Sequence, residues 1–398
     1  MTERDKNGNN TNRHATWLEL FYDLVFVVVI FQLAHNLEED FSLYGFLSFI
    51  ALFVPVWWSW TGAAFYATRF DTDDLVHRIL VLLQMVGAAA LAVNVPDGLG
   101  NDSAGFALSY AAIRIILVIE YVRTGISKSF SSATPLIQRY SIGFLCAAIV
   151  WIISAFIPPP FRFVLWAIGL VIDFATPIAV GRLHSQFAPH ISHLPERMGL
   201  FIIIVLGESV LEVVSGISNM DFDIYSMLIL GLGLSIPFSL WWLYFDNVDG
   251  APIRALREKG RIGLYSIWLI GHFPLVVAIT SVGVGLVYIT SKTHGLALSY
   301  FEQWLVCGSV ALSLGAQGVL HLSSAYYYLY AGSVQDYRAS IRWATYRIIS
   351  AGMILIIPIL RVPLSPFLLI CILAAICIAQ IVIDLKQHPY HRRRRVLK

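Results

Sequence analysis

The chain has 398 residues and a formal net charge of +2; 58% of its residues are hydrophobic and only 13% are charged. Soluble globular proteins carry about 25% charged residues, so this composition excludes an ordinary soluble domain. The apolar residues form blocks of about 20, the length of a helix that crosses a bilayer core. We therefore predict an all-α polytopic membrane protein with about 12 transmembrane helices.

The chain begins with a polar segment. Residues 1–16 lack the apolar stretch and cleavage site of a signal peptide, and we predict a disordered cytoplasmic N-terminus there. Prolines break the connectors between the apolar blocks that follow. A hydropathy window of about 19 residues predicts twelve spans, at 17–36, 43–67, 74–94, 104–123, 139–157, 161–181, 197–217, 224–246, 262–288, 303–330, 345–361 and 366–385.

The distribution of basic residues predicts the orientation. With the N-terminus inside, 23 of the 27 Lys and Arg residues lie in inner segments, three lie outside, and Arg114 lies within a span. Cytoplasmic loops accumulate such charge, so both termini are expected in the cytoplasm. We expect the basic tail, 387–398, to contact anionic lipid headgroups rather than nucleic acid.

The two halves of the chain resemble each other. DFSLYGFLSF at 40–49 parallels DFDIYSMLIL at 221–230, LELF at 18–21 parallels MGLF at 198–201, and a double Trp followed by Phe-Asp occurs in both halves. Six spans per half is an even number, so the halves share one orientation. We predict two parallel six-helix repeats, at 17–190 and 191–386.

Four ionisable residues are predicted near the membrane midplane: Arg114, Asp173, Glu208 and His272. Such groups are costly in lipid unless they face the bundle interior and find partners. Arg114 has no acid one turn away on its own helix, so Asp173 or Glu208 is its expected partner. Two alternatives remain: a substrate or ion site, or a buried pair that only fixes helix register.

Span 7 carries a second acid, Glu212, one turn beyond Glu208. Two carboxylates on one helix face cannot both stay ionised in a low dielectric, which is typical of a proton relay or cation site. Gly207 is expected to allow a close helix approach. His272 is a candidate member of the site, although a single His on an apolar helix is more often a hydrogen-bonded core residue.

A further group of charges is predicted at the cytoplasmic ends of the helices, where it would form a gate: Glu19, Asp23, Arg69, Asp71 and Asp246. Glu19 is explained by compensation of the helix dipole, but Asp23 lies beyond the first turn and needs another reason. Trp57, Trp58, Trp60, Trp241 and Trp242 lie too deep for an interfacial belt; they either line a cavity or pack the repeat interface.

Metal and cofactor chemistry find no support in the sequence. The four cysteines, Cys146, Cys307, Cys371 and Cys377, lie in apolar runs without metal-ligand spacing, so we expect no metal, no disulfide and no cofactor. No nucleotide-binding motif is present, and no loop is long enough for an enzymatic domain.

With ELFYDLVFV (19–27), TRFDTDD (68–74), ERMGLFIIIVLGESVL (196–211), WWLYFD (241–246) and HFPLV (272–276), the sequence resembles the bacterial low temperature requirement A (LtrA) family. It departs from the usual pattern at Tyr22 and Phe273, neither of which removes an ionisable group. The resemblance implies a multi-pass protein of the bacterial plasma membrane, linked by name to growth in the cold, and supplies no biochemical activity.

These features favour a secondary transporter, coupled to an ion and most simply to protons, for an unknown small solute. Its expected partners are that solute or ion and membrane lipids; the oligomeric state is left open. We expect no catalytic residue. The alternatives are an intramembrane enzyme that acts on lipid or an isoprenoid-linked substrate at the cytoplasmic interface, and a non-catalytic membrane factor or sensor.

Overall fold

The computed structural model describes residues 14–70, 72–181, 183–218, 223–246, 250–291 and 297–387. Over these ranges the chain forms α-helices and one 3₁₀ helix (Lys128–Ala133), and no strand occurs in them. The α-helices are α1 (Trp17–Glu39), α2 (Leu43–Arg69), α3 (Leu75–Asn94), α4 (Ser103–Ile126), α5 (Thr134–Ala155), α6 (Phe161–Val180), α7 (Leu183–Gln186), α8 (His193–Ile217), α9 (Ile224–Phe245), α10 (Ala251–Lys259), α11 (Ile262–Ser291), α12 (Tyr300–Ala331), α13 (Val334–Ile359) and α14 (Pro366–Gln387).

Twelve of these helices, all except α7 and α10, are long and apolar enough to cross a membrane. The predicted all-α membrane fold with twelve transmembrane helices is therefore confirmed. The largest boundary difference is in α13, which begins at Val334 rather than at the predicted 345. Its first turns contain Arg338 and Arg342. Arginine favours helix, but a hydropathy window excludes it from a span.

Two compact units divide the chain. The first contains the described residues of Met1–Asn36, Phe46–Phe201 and Ile253–Ile262. The second contains those of Leu37–Gly45, Ile202–Pro252 and Gly263–Lys398. The relation of 17–190 to 191–386 as parallel repeats stays a prediction.

An aromatic core holds the helix ends of the first unit, where α3, α4, α5 and α6 pack in series. Tyr66 and Phe70 from the end of α2 meet Tyr121 of α4 and Tyr140 of α5. The rings of Tyr121 and Tyr140 stack with centroids 5.3 Å apart. Because such rings bury large areas and have few rotamers, they fix the ends of α2 and α4, from which polar side chains project.

Helices α8 and α11 approach closely within the second unit. A Cβ added to Gly283 would lie 2.8 Å from Cα of Ser209, and Ser209 Oγ donates a hydrogen bond to the carbonyl of Ile279 at 2.9 Å. This corrects the expectation for Gly207, whose added Cβ would meet nothing within 4 Å. Residues two apart on a helix point to nearly opposite sides, so Ser209 faces α11 and Gly207 does not.

Several predictions fall outside the described residues: the first thirteen residues of the N-terminus, Asp71, the start of the 221–230 stretch, and the tail from 388 onward. All four cysteines are free thiols. Within the ranges that the structure describes, no three His, Cys, Asp or Glu side chains are arranged to hold a metal ion.

Candidate functional site

A buried cluster of charges in the first unit lies where α1, α2 and α8 meet. We call its members Glu19, Asp23, Trp60, His193 and Arg197 the Arg197 cluster. Glu19 and Asp23 are one turn apart on α1, as are His193 and Arg197 on α8, and residues four apart share a helix face. Two acids on one helix therefore face a cation and an imidazole on the other.

Arg197 is the centre of this cluster, and its side chain is only 1% exposed. Its Nη2 donates to Asp23 Oδ1 at 2.6 Å, and its Nη1 lies 3.4 Å from Glu19 Oε1. Trp60 Nε1 donates to the same Asp23 oxygen at 2.8 Å. Trp60 also stacks on Phe201, with ring centroids 4.2 Å apart. The ion pair with Arg197 therefore explains why an acid can lie beyond the first turn of α1 at Asp23.

Glu19 joins the cluster to the start of α1. The amide of Thr16 donates to Glu19 Oε2 at 2.7 Å, and the amide of Glu19 donates to Thr16 Oγ1 at 3.3 Å. This reciprocal pair is a capping box, which stabilises a helix N-terminus. The same Oε2 accepts from His193 Nε2 at 3.1 Å, so one carboxylate both caps α1 and bonds to α8.

A second buried group lies at the neighbouring ends of α3 and α4. Gln84 Nε2 donates to Glu120 Oε2 at 2.6 Å. His77 Nδ1 lies 3.1 Å from Glu120 Oε1, but the two are not aligned as a hydrogen bond. His77 sits in the first turn of α3, where its amide donates to Asp74, the N-cap. Glu120 is 2% exposed, and burial of a carboxylate is costly unless its partners compensate for the lost water.

A half-open cavity joins the two groups; about 330 Å³ of space between protein atoms lies in it, part of which is open to the outside. Its polar lining residues come from the helices named above. Four of them carry a buried polar atom without a hydrogen-bond partner among the described residues: Tyr22 Oη, His77 Nδ1, Glu120 Oε1 and Arg197 Nε. The full lining is Leu18, Glu19, Tyr22, Ala63, Tyr66, Ala67, His77, Val81, Gln84, Glu120 and Arg197.

Arg114 and Asp173 form a closed pair elsewhere in the first unit. Both side chains are 0% exposed, and Arg114 Nε lies 3.4 Å from Asp173 Oδ2. Tyr110 bridges them, because its hydroxyl donates to Asp173 at 2.5 Å and accepts from Arg114 at 2.8 and 2.9 Å. The guanidinium also lies 5.0 Å from the ring centroid of Phe144. This geometry favours the alternative of a buried pair over a substrate site.

The predicted residues of span 7 lie in the second unit. Glu208 and Glu212 are 4% and 5% exposed, and Glu208 Oε1 has no hydrogen-bond partner among the described residues. Glu208 thus belongs to a different unit from Arg114 and Asp173. A buried pair of acids still suits proton binding, so its role stays a prediction.

His272, also in the second unit, is a hydrogen-bonded core residue. Its Nδ1 lies 2.7 Å from the carbonyl of Trp268, and its Nε2 lies 3.1 Å from the hydroxyl of Tyr244. A carbonyl only accepts, so Nδ1 carries the proton and Nε2 accepts from Tyr244. Both ring nitrogens are therefore used within the helix pair α9 and α11.

The side chain of Arg69, at the end of α2, contacts groups that do not belong to the Arg197 cluster. Its Nε donates to the carbonyl of Phe187 at 3.1 Å, and its Nη2 lies 3.0 Å from His184 Nδ1. His184 Nε2 donates to the carbonyl of Pro177 at 2.8 Å, so Nδ1 is the acceptor for Arg69. Burial, together with the charge of Arg69, lowers the pKa of His184 to about 4.

The other acids predicted near Arg69 differ in what the structure describes of them. Asp246 follows α9 in the second unit, and Asp71 is outside the described residues. Asp73 pairs with Arg78, whose hydrogen bond lowers the pKa of that carboxyl. Asp74 caps α3 and pairs with Arg123. The alternative of an interfacial enzyme site at the cytoplasmic helix ends stays a prediction.

Comparison with known proteins agrees with the motifs. The family described as bacterial low temperature requirement A protein (LtrA) matches residues 14–382. The chain belongs to the LtrA family. It is also similar to the uncharacterized protein RA0937 of Rhizobium meliloti (strain 1021), with 26% identity over 335 residues that cover 79% of each chain. No solved structure matches this LtrA protein.

Several residues of the site in this LtrA chain were missed as site residues: Trp60, His77, Glu120, His193 and Arg197. Arg197 and Arg347 were both predicted to lie in inner segments between spans or at their ends. Both are buried instead, and Arg347 Nη2 donates to Asp384 at 2.6 Å in the second unit. The available signal was spacing, because His193 and Arg197 repeat the four-residue interval of Glu19 and Asp23.

Proposed function

We propose that this LtrA-family protein is a proton-coupled secondary transporter of a small solute, and that the cavity of the first unit is its binding site. This moves the proposed site from the midplane pair Arg114–Asp173 to the helix ends. The pair is fully buried and bridged by Tyr110, whereas the polar groups of the first-unit cavity line a half-open space. Glu208 and Glu212 remain candidates for a second proton site.

One observation carries the proposal: the cavity is lined by buried charges whose hydrogen bonds are incomplete. Each unsatisfied polar group in a membrane interior costs several kcal/mol, and here, unlike at the fully buried pair Arg114–Asp173, such groups line a half-open cavity. Sites that bind and release a polar ligand leave donors and acceptors open to it. Concave sites between helices with a few convergent polar groups are typical of ligand binding.

The protonation of acids supplies the coupling. Glu19 and Asp23 share Arg197, and Glu120 accepts from the neutral Gln84, so the three acids outnumber the arginine when they are ionised. A low-dielectric site opposes such an excess, and a proton removes it. Binding of a proton and binding of a solute at the same cavity would therefore affect each other.

The test is proton movement in proteoliposomes that contain a pH-sensitive dye. Solutes added outside would include amino acids, sugars, nucleosides, carboxylates and quaternary ammonium ions. We expect at least one class to drive proton movement through the parent protein, and Glu120→Gln to abolish it. Glutamine keeps the shape of the side chain and leaves no unpaired cation, so this variant should fold.

The matched control is Glu258→Gln, which neutralises an exposed acid on α10 and should retain the flux. Proton movement by no solute, or equal flux through the Glu120→Gln variant, would overturn the proposal. A lipid product that depends on Asp23, detected by mass spectrometry of the liposomes, would favour the interfacial enzyme.

The family name also leads us to propose that this activity supports growth in the cold. A strain without the gene should grow more slowly at low temperature than at its ordinary temperature. The parent gene should restore that growth, whereas the Glu120→Gln variant should not. If the parent gene and the Glu120→Gln variant restore growth equally, a role of the protein in the cold does not depend on the cavity.

A further inference from the structure

We infer that the cavity of the first unit binds a few water molecules, which form a proton relay from its open side to the pair His77–Glu120. This inference rests on the proposed proton coupling and names the path that the proton takes. It follows from the size of the cavity, the open hydrogen bonds in its wall and the chemistry of the groups that carry them.

The cavity in this conformation has the size of a water site. The part of it that is wide enough for a water molecule measures about 30 Å³, and a single buried water needs about 10–15 Å³. A few waters therefore fit, whereas an organic solute does not. A solute would enter only when the helices part, as alternating access requires.

Polar atoms with open hydrogen bonds surround this space. Tyr22 Oη and Arg197 Nε belong to its wall on α1 and α8, and neither has a partner among the described residues. His77 Nδ1 and Glu120 Oε1 belong to its wall on α3 and α4 and are open in the same way. None of these residues is more than 8% exposed. A buried water makes about two to four hydrogen bonds, so these atoms supply the partners that water needs.

The open atoms are complementary to one another through water. Arginine keeps its proton, so Arg197 Nε only donates, whereas the hydroxyl of Tyr22 both donates and accepts. Glu120 Oε1 accepts when the carboxylate is ionised. A water that accepts from Arg197 therefore has its own protons available for Glu120. The Tyr22 hydroxyl lies close enough to both side chains to interact with their charges, so it can link one water to the next.

The pair His77–Glu120 is the end of the path that takes up the proton. The facing atoms, Nδ1 and Oε1, lie 3.1 Å apart, and the second carboxylate oxygen is held by Gln84 at 2.6 Å. The proton enters as hydronium and passes along the waters by exchange of covalent bonds and hydrogen bonds. When Oε1 or Nδ1 takes it up, a neutral water is left behind.

The opening of the cavity distinguishes a relay from waters that only fill space. Sealed waters would complete the hydrogen bonds of the wall without a supply of protons. This cavity is half-open, so its waters exchange protons with the outside. A wall of fixed donors on one side and a titratable pair on the other gives the transfer its direction.

The other titratable and charged groups near Glu120 leave this route open. The hydroxyl of Tyr66 lies 2.7 Å from Thr124 Oγ1, so it is used within the protein. Arg123 pairs with Asp74 at the helix ends. The groups that face Glu120 from α1, α2, α3, α4 and α8 are Tyr22, Tyr66, His77, Arg123 and Arg197.

Infrared difference spectroscopy on the purified full-length protein in nanodiscs tests the water and the proton together. Bands of internal water shift in heavy-oxygen water, and a carboxylic acid and an imidazolium have separate bands. After light-triggered proton release we expect isotope-sensitive water bands and proton uptake by the pair. Glu120→Gln should abolish this uptake, because His77 alone would be a buried cation without a counter-charge. The matched control Glu258→Gln should behave as the parent does.

Two substitutions interrupt the path without removing the proton acceptors. Ala63→Leu fills part of the cavity and should displace water, and Tyr22→Phe removes the linking hydroxyl. Each should slow proton uptake by about a hundredfold, the low end for loss of a positioned proton-transfer group. Ala51→Leu makes the same change at an exposed position of α2 and should leave the rate unchanged. Ala67→Val, a smaller change in the same wall, replaces Ala63→Leu if that variant does not fold.

Two results would overturn the inference. One is the absence of any isotope-sensitive water band that responds to the proton. The other is proton uptake as fast as in the parent in both the cavity-filling variant and Tyr22→Phe, which would make the waters structural only.

The outcome also separates this inference from the proposed function. If the relay is found but no solute drives a proton flux in proteoliposomes, the relay stands and the transporter proposal fails. If a solute drives a flux that needs Glu120 and is equally fast in Ala63→Leu and Tyr22→Phe, the transporter stands and the relay is wrong.

Discussion

Removal of the Asp173 charge should destabilise the protein far more than removal of the Asp23 charge. Asp173→Asn leaves the fully buried Arg114 guanidinium with the Tyr110 hydroxyl and aromatic rings as its partners. Breaking a buried ion pair from one side costs about 3–5 kcal/mol. In Asp23→Asn, Arg197 keeps Glu19 at 3.4 Å and a hydrogen bond to the new amide oxygen, so the loss is about 1 kcal/mol.

The assay is unfolding by SDS in mixed micelles, followed by tryptophan fluorescence. Trp151 reports on the pair directly, because its ring centroid lies 4.4 Å from that of Tyr110. The double variant Arg114→Met, Asp173→Asn removes both charges and should recover most of the lost stability, since replacing a whole buried pair is often neutral.

Two results would refute this reasoning. If Asp173→Asn costs no more than Asp23→Asn, the pair does not carry the expected electrostatic energy. If the double variant is stable but has lost the proton flux of the parent, the pair takes part in transport.

Three other predictions concern single side chains. The pKa of His184 is 6.5 in the unfolded chain and about 4 in the folded chain. Acidification from pH 6.5 to about 4 should therefore lower the free energy of unfolding by about 3 kcal/mol. Unfolding measured at a series of pH values should show this loss in the parent and not in His184→Gln. Gly283→Ala places a Cβ 2.8 Å from the α8 backbone and should cost about 1–3 kcal/mol, whereas Gly207→Ala should be neutral in the same unfolding assay. Tyr22→Phe removes a buried hydroxyl without a protein partner, so its free energy of unfolding should not fall.

The membrane architecture could be predicted because hydropathy is a local property. Each span is apolar over about 20 residues whatever it packs against, so eleven polar or proline-containing connectors were enough to separate twelve helices. A hydropathy window cannot find a helix end that carries charge, as at the start of α13. There, Arg338 and Arg342 continue a helix that the hydropathy window begins later.

The candidate site was only partly predictable because its pairs are distant in sequence. Asp23 was recognised as a residue that needs a partner, but Arg197 lies 174 residues away, and several arginines were equally available. Glu120 and His77 each looked like an ordinary helix-end residue. The packing of α3 beside α4 brings Glu120 and His77 together, and no local sequence pattern encodes that packing.

The capping box at the start of α1 makes a backbone amide a reporter of the cluster's charge. Thr16 donates to the same Glu19 oxygen that accepts from His193, and a neutral Glu19 would hold that amide less strongly. Hydrogen exchange at Thr16 should therefore speed up whenever Glu19 is protonated. Protonation of the cluster would in this way be detectable as faster hydrogen exchange at the start of α1, without any label inside the cavity.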